Sequence, residues 1–431
     1  MPLRNVAVNR KTVISEAYLR IRYSKTESGH PIKKALVYTK DEHGINRNEV
    51  DPDALRIVER LKGSGHEAYI VGGAVRDLLV SKRPKDFDIV TDAIPARIKR
   101  IFRNSRIIGR RFRLVHVFFG PKIFELSTFR SLKDGTTSNT YGIMEEDAQR
   151  RDFTFNALYY DPEEEIVVDY VGGFTDIKKK RVIPVIPLAI IFKDDPVRMI
   201  RAAKYAASTG FKLPLLLRWK IRAQAALLDP VSSSRLTEEI VKIVRSGNAA
   251  PIIQLMSKLG LFIFLQPNAA DRMKSDTAYC GRFMNSMADM DKVVRKEPDA
   301  PTGTLLAYLL RDFLETVVDW KSNSTESYRK ALAECRSFVL PMNPPRIELE
   351  NAVRILFRES GVPVKKARTF EKGQRSELVP DMARGASKTD PIALDGDAPT
   401  LPKKRRRRRT RKSGTSLRPE SPQNENTQAD D

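Results

Sequence analysis

The sequence predicts an α+β chain: a small mixed-sheet head, a helical region behind it and a basic tail. Three observations predict this. Short strand-like and helix-like runs alternate from Asp51 to about Pro187, and helical patterns dominate after Phe192. From about Gly373 apolar residues thin out while Pro, Gly, Ser and charge rise. The expected divisions are residues 1–47, a partly ordered basic extension; 48–187, the head; 188–372, the helical region; and 373–431, a disordered tail.

The elements follow in order. "DPDALRIVERLKGSG" has an acidic start, apolar Leu55, Ile57, Val58 and Leu61 at helical spacing, and a glycine stop. In "YIVGGAVRDLL" a strand is expected to end at Val71, with Gly72 and Gly73 turning the chain into a helix near Ala74. "KDFDIVT", "GRRFRLVHVFFG" and "KIFELSTFR" read as further strands. In "DDPVRMIRAAKYAASTG", Asp195 and Pro196 suit the first positions of a helix. Met199, Ala202, Ala203 and Ala206 form its buried stripe, and Gly210 ends it. "SSRLTEEIVKIVRSG", "APIIQLMSKLGLFIFL", "TGTLLAYLLRDFLETVVDW" and "IELENAVRILF" continue the helical region.

The charge balance bounds the partner. With 77 Lys and Arg against 54 Asp and Glu in 431 residues, the net charge of +23 draws the chain to polyanions, either nucleic acid or an anionic membrane surface. The most apolar stretch, Val182 to Phe192, is short and broken by Pro184 and Pro187, so no transmembrane segment is expected, nor a signal peptide. Two distant cysteines, Cys280 and Cys335, argue for a reducing compartment, with a cytoplasmic monomer expected. Four histidines without HxH or CxxC spacing point any metal towards oxygen ligands.

Two local patterns carry chemistry. Glycines such as Gly72 and Gly73 let backbone approach a phosphate, a helix start offers N–H groups to an anion, and Arg76 adds a charged donor. The same turn also has a purely structural explanation. On a strand, Asp86 and Asp88 share one face while Phe87 and Ile89 face the core. Two carboxylates on one face suit a divalent cation of the kind phosphoryl transfer uses, whereas an exposed edge pair is the plain alternative. Glu125, opposite in direction to Phe124 and Leu126, is a third acid or a solvated strand residue. His116, in line with Phe112, Leu114 and Phe118, is expected against the core, and Tyr159 and Tyr160 are expected as core aromatics at a helix end.

These motifs, with "RRDFTFNALYY", "VDYVGGFTDIKKKRV" and "DDPVRMIRAAKYAASTGF" following in order, resemble the class II tRNA nucleotidyltransferase and bacterial poly(A) polymerase family. The resemblance is dense from about Asp51 to Phe211. It implies a nucleotidyltransferase head with Mg²⁺ or Mn²⁺ on Asp86 and Asp88, one ion activating an RNA 3′-hydroxyl and the other neutralising the triphosphate. It implies triphosphate contacts from Gly72, Gly73 and Arg76, and phosphate or sugar contacts from Arg150, Arg151 and Asn156. Asp152 competes with Glu125 as the third acid, or contacts the ribose. Asp195 and Arg198 match positions that face the nucleotide base, and Asp194 stands where relatives usually have Glu. The alternative for Arg150 and Arg151 is a solvated helix start.

The family holds enzymes that add CCA to tRNA and enzymes that add adenylate tails. The basic stretch from Ile107 to Arg130, with Arg110 and Arg111, resembles the tail-adding branch, as does the run Lys403, Lys404, Arg405, Arg406, Arg407, Arg408, Arg409, Arg411 and Lys412. The resemblance therefore implies ATP as substrate, RNA 3′ ends (mRNA and other transcripts) as acceptor, RNA-decay factors as partners and a role in RNA turnover. A CCA-adding enzyme and a basic RNA-binding protein without activity are the alternatives.

Overall fold

The computed structural model describes residues 21–25, 31–109, 113–131, 140–318 and 324–362, all within the compact unit Met1–Lys366. Arg110, Arg111 and the basic run from Lys403 to Lys412 lie outside the described residues.

The head is built on a nine-stranded mixed sheet. Its strands are β1 (Ile21–Lys25), β2 (Pro31–Tyr38), β3 (Ala68–Val71), β4 (Asp88–Thr91), β5 (Ser105–Ile108), β6 (Leu114–Phe119), β7 (Lys122–Thr128), β8 (Leu158–Asp161) and β9 (Ile166–Asp169). They lie in the order β1-β2-β9-β8-β3-β4-β7-β6-β5, and the β4–β7 pair alone among them is parallel. The sheet reaches further toward the N-terminus than composition suggests. β2 pairs with β9, and β1 with β2, so residues read as a basic extension supply strands. Their short apolar alternation is diluted by lysine and arginine, which the edge position of β1 tolerates, while β2 lies inside the sheet between β1 and β9.

Side-chain alternation gives the sheet two apolar faces. Ile70, Ile89 and Leu126 belong to the larger core, while Tyr69, Val71, Val90 and Tyr159 belong to a smaller cluster on the other side. The helix α1 (Pro52–Gly63) buries Ala54, Ile57, Val58 and Leu61 in the larger core. Its start is fixed by Asp51, whose carboxylate accepts the Asp53 N–H at 2.8 Å, and by Pro52 in the first turn. Each fully buried aliphatic side chain there contributes roughly 1.5–3 kcal/mol. The "VDYVGG" motif has a structural explanation: buried Asp169 accepts the N–H groups of Val171, Gly172, Gly173 and Phe174 at 2.8–3.1 Å.

On the larger core, α2 (Gly73–Leu79), α3 (Pro95–Ile101) and α5 (Gly173–Lys178), and in the smaller cluster on the other face α4 (Met144–Gln149), complete the head. The helical region then runs α6 (Val197–Thr209), α7 (Leu215–Gln224), α8 (Ser233–Val244), α9 (Ala249–Leu259), α10 (Pro267–Ser275), α11 (Thr277–Lys296), α12 (Thr302–Val317), α13 (Ser324–Phe338) and α14 (Arg346–Glu359). One apolar cluster runs from Ile45 in the head to Phe357 in α14, joining the layers. In α6 the stripe Met199, Ala202, Ala203 and Ala206 is buried, and Gly210 closes the helix at φ +74°. The 20-residue α11 is a helix the patterns above did not include, although its apolar residues recur at helical spacing. It buries Tyr279, Phe283, Met287, Met290 and Val294, but spaces them among polar residues and an interior Gly281. Among the described residues no helix is long and apolar enough to cross a membrane.

Three local expectations are corrected. His116 does not face the core: Val115 and Val117 are the buried residues of β6, and His116 pairs across the ladder with Glu125 on the opposite face, Nε2 to Oε1 3.4 Å. Tyr159 and Tyr160 are fully buried but sit on strand β8 rather than at a helix end. Arg150 and Arg151 do not open a helix. They follow the end of α4, and Arg150 is buried.

Candidate active site

One cleft of roughly 690 Å³ opens where the head meets α6 and α8. It is lined by Gly72, Gly73, Arg76, Asp86, Asp88, Glu125, Arg150, Arg151, Asp152, Asn156, Asp195 and Arg198. The sequence singled out these residues of the described segments, and the fold brings them together from five separate stretches of chain. The cleft also takes in Arg130, Asp147, Arg201, Lys204, Tyr205, Glu239 and Lys242, which it did not single out.

The glycine turn is a matter of backbone conformation. Gly72 has φ +74° and ψ −129°, a region that residues with a Cβ rarely enter. Space is the lesser reason, since a Cβ on Gly72 would lie 3.7 Å from Arg151 Nη1 and 3.8 Å from Asp88 Oδ2, ordinary contacts. Arg76 is held beside the turn. Nε and Nη2 donate to Asp77 at 3.0 and 2.8 Å, Nη1 donates to Asn156 Oδ1 at 2.9 Å, and the guanidinium lies 5.1 Å over the Tyr205 ring.

The acids come from parallel neighbours. β4 and β7 run side by side with Ile89 opposite Leu126, so Asp88 and Glu125 emerge next to each other on the cleft face. Phe87 and Ile89 turn into the core and Asp86 and Asp88 do not. Asp88 is exposed in the cleft yet crowded by protein. Desolvation is the largest influence on its carboxyl and Glu125 the next. Arg151 opposes them, Asp86 adds to them, and the pKa is pushed up to about 6. Asp152 is occupied differently: Oδ1 accepts the Phe153 N–H at 2.8 Å and the Asn156 amide at 3.1 Å, and Oδ2 lies 3.8 Å from Arg201 Nη1.

Among the described residues no group of three or more His, Cys, Asp or Glu is arranged to hold a metal ion. The pair Asp86 and Asp88 still fits a hard divalent cation. Mg²⁺ is commonly held by one or two carboxylates, with water and substrate phosphate completing its shell. Desolvation first, then the charges of Glu125 and Asp86, disfavour the ionised Asp88 carboxyl, and a cation on the pair would offset both.

The opposite wall is cationic and ordered. Asp195 Oδ1 accepts the Val197 N–H at 3.1 Å and an Arg235 N–H at 2.8 Å, so it caps α6 while lining the cleft. Arg198 is buried, with Nη1 donating to Asp194 Oδ2 at 2.6 Å and to the Ile191 carbonyl at 3.3 Å. Asp194, though shorter than glutamate, reaches Arg198 across the break between the short helix Ile191–Asp194 and α6. Deeper in, Glu239 is 2 % exposed and takes Lys204 Nζ at 2.6 Å and Arg201 Nε at 3.1 Å. Burial pushes its carboxyl up, but Lys204 and Arg201 outweigh that and hold it below the usual range. Its signal in the sequence was a carboxylate on the apolar stripe of α8, between Leu236 and Ile243. For Asp147 the signal was its i,i+4 spacing to Arg151.

Residues 68–183 match the family described as "Poly A polymerase head domain", and residues 210–273 match "Probable RNA and SrmB- binding site of polymerase A". A Salmonella typhi protein named Poly(A) polymerase I is 40% identical over 333 residues, covering 71% of this chain and 72% of that protein. The chain belongs to the poly(A) polymerase family. Escherichia coli O157:H7 Poly(A) polymerase I is likewise 40% identical, over 260 residues that span 57% of this chain and 56% of that relative's length. The family's other branch is also near: a CCA-adding enzyme of Geobacillus thermodenitrificans is 36% identical over 225 residues, 51% of this chain and 55% of its own. A solved structure, the Bacillus stearothermophilus CCA-adding enzyme in complex with CTP, aligns over 72% of this chain and 83% of its own at 25% identity and a TM-score of 0.49.

Proposed function

We propose that this chain is a polynucleotide adenylyltransferase: it extends RNA 3′ ends with adenylate from ATP and releases pyrophosphate, without a template. The observation that carries the reading is the Asp86–Asp88 pair, with Asp88 pushed up to about 6, facing an arginine-rich wall in a chain of this family. A divalent cation on that pair, Mg²⁺ or Mn²⁺, would supply charge neutralisation at the triphosphate and polarise the reacting phosphoryl group.

The chain's own residues do the rest. The Gly72–Gly73 turn, Arg76 and Arg151 cradle the triphosphate, with Arg150 and Asn156 supporting phosphate and sugar. Asp195 and Arg198 face the base. Glu125 is assigned as the third acid because its charge bears directly on Asp88, while Asp152 is committed to the turn at Phe153 and Asn156. In the reaction the RNA 3′-oxygen bonds to the α-phosphorus, the α–β bridging bond breaks, and pyrophosphate carries away the electron pair. Little covalent work falls to the protein, so positioning and charge dominate.

RNA would be held by the region behind the head, by Arg110 and Arg111, and by the basic run from Lys403 to Lys412. The proposed setting is the cytoplasm, with a part in RNA turnover alongside RNA-decay factors. The proposed division is a head over 48–187, a helical region over 188–372 and a tail over 373–431.

The Geobacillus relative keeps a second reading in view, CCA addition to tRNA. Incorporation of each of the four nucleotides into a generic RNA and into tRNA lacking its end separates the two. Long adenylate tails on generic RNA support the proposal. Addition of C followed by a stop after A replaces it with the second reading, and no incorporation with either cation overturns both.

A further inference from the structure

Arg151 stands between the glycine turn and the acids: its Nη1 would lie 3.7 Å from a Cβ on Gly72, and its charge favours ionisation of Asp88, while its place is set by two residues that do not line up for chemistry themselves. Nε and Nη2 donate to Asp147 Oδ2 at 3.1 and 2.9 Å. The Tyr159 hydroxyl donates to the same oxygen at 2.8 Å and lies 3.3 Å from Arg151 Nε. Arg151 Nη1 donates to the Asn156 carbonyl at 3.3 Å, and the guanidinium lies 5.4 Å over the Tyr159 ring. Asp147 also accepts the Arg130 backbone N–H on Oδ1 at 3.4 Å. Tyr159 is fully buried on the central strand β8, and Asp147 is 6 % exposed on α4. The Asp147 carboxylate, the Tyr159 phenol ring and the carbonyl of Asn156, in the 3₁₀ turn Thr154–Asn156, thus hold the guanidinium. The remaining side, toward Nη1, is where Gly72 and Asp88 approach.

We propose that Asp147 and Tyr159 are positioning residues that lock Arg151 over the triphosphate cradle, so that its charge is already in place when the nucleotide arrives. This rests on the adenylyltransferase reading. A flexible arginine would lose rotamer entropy on each binding event, and one fixed by a buried carboxylate and phenol has lost it on folding. Tyr159 is the cleaner probe, because Tyr159→Phe keeps the ring and removes one hydroxyl.

The test uses the full chain with Tyr159→Phe, Asp147→Asn, Arg151→Lys and the Tyr159→Phe/Arg151→Lys pair. Tyr159→Phe is expected to raise KM for ATP about five- to tenfold, the effect of one hydrogen bond to a charged pair. KM for RNA should hardly move, while the melting temperature falls by a few degrees because a buried hydrogen bond to a carboxylate is lost. In the Arg151→Lys background the same change should add nothing, because the hydroxyl acts through that guanidinium. Calorimetric titration with pyrophosphate reads the cradle independently of turnover: a wild type that binds pyrophosphate but incorporates no nucleotide sinks the enzymatic reading and leaves this one standing. An unchanged KM for ATP and unchanged pyrophosphate affinity in Tyr159→Phe, a full effect persisting in Arg151→Lys, or no pyrophosphate binding by the wild type overturns it. If Asp147→Asn does not fold, Tyr159→Phe decides alone.

Discussion

Asp88 sits where burial, Glu125 and Asp86 all oppose its ionisation, and only Arg151 favours it. Its folded pKa of about 6 lies above the usual carboxylate value, so ionisation is disfavoured in the folded state. Stability from this group is therefore full below the unfolded pKa and lost as pH rises towards 6. Without divalent cation at pH 7 to 8, Asp88→Asn should melt at a higher temperature than the wild type, while nucleotide incorporation falls to background. Added Mg²⁺ should stabilise the wild type and leave the variant nearly unmoved. Melting curves with and without chelator check this, and a lower melting temperature for cation-free Asp88→Asn would contradict it. The opposite case is Glu239, held below the usual range by Lys204 and Arg201. Its contribution is complete above the unfolded value of about 4.3 and drains away as pH falls through the folded pKa. Glu239→Gln is expected to cost on the order of 3 kcal/mol at pH 7, with the gap to wild type narrowing in acid. Denaturant titrations at both pH values measure it, and equal stabilities at pH 7 would remove the argument.

At the scale of elements, α7 has apolar side chains facing water. Leu215 is 80 % exposed and Trp219 63 %. They lie within a stretch, residues 196–228, that holds seven Lys and Arg and no Asp or Glu. An exposed aromatic among cations suits an RNA strand, one base stacking and phosphates pairing nearby, and α7 lies in the segment matching the RNA-binding family description. Trp219→Ala should weaken RNA binding by about 1–3 kcal/mol and leave KM for ATP unchanged. Filter binding on a short single-stranded RNA reads the first, and equal affinity for both proteins would exclude the role. The α2 and α6 boundaries were legible because glycine and proline mark them through φ. The edge strand β1 and its neighbour β2 were not, because β2 finds its partner β9 far away in the chain and β1 depends on β2; in α11 the helical spacing is present but diluted by polar residues.

Over the whole molecule, the charge of +23 predicts salt-sensitive attraction to RNA that is indifferent to sequence. Removing Lys403 to Lys412 should lower RNA affinity and flatten its salt dependence, with ATP incorporation on a saturating short primer unchanged. Equal affinity on long RNA at physiological salt, with and without the run, would refute it. By itself the sequence determined the fold class, the glycine turn and the capped start of α6, and it marked two acids of which only Asp88 proved to lie on the strand, Asp86 preceding it. Each rests on neighbours in the chain, where dihedral limits and strand alternation act directly. The tertiary structure alone decided that Glu125 stands beside Asp88, that His116 faces Glu125 and not the core, and that Asp147, Tyr159 and Glu239 fix the cleft's cations. Those depend on strand order and on helices from two regions meeting, and a linear pattern carries no register between distant segments.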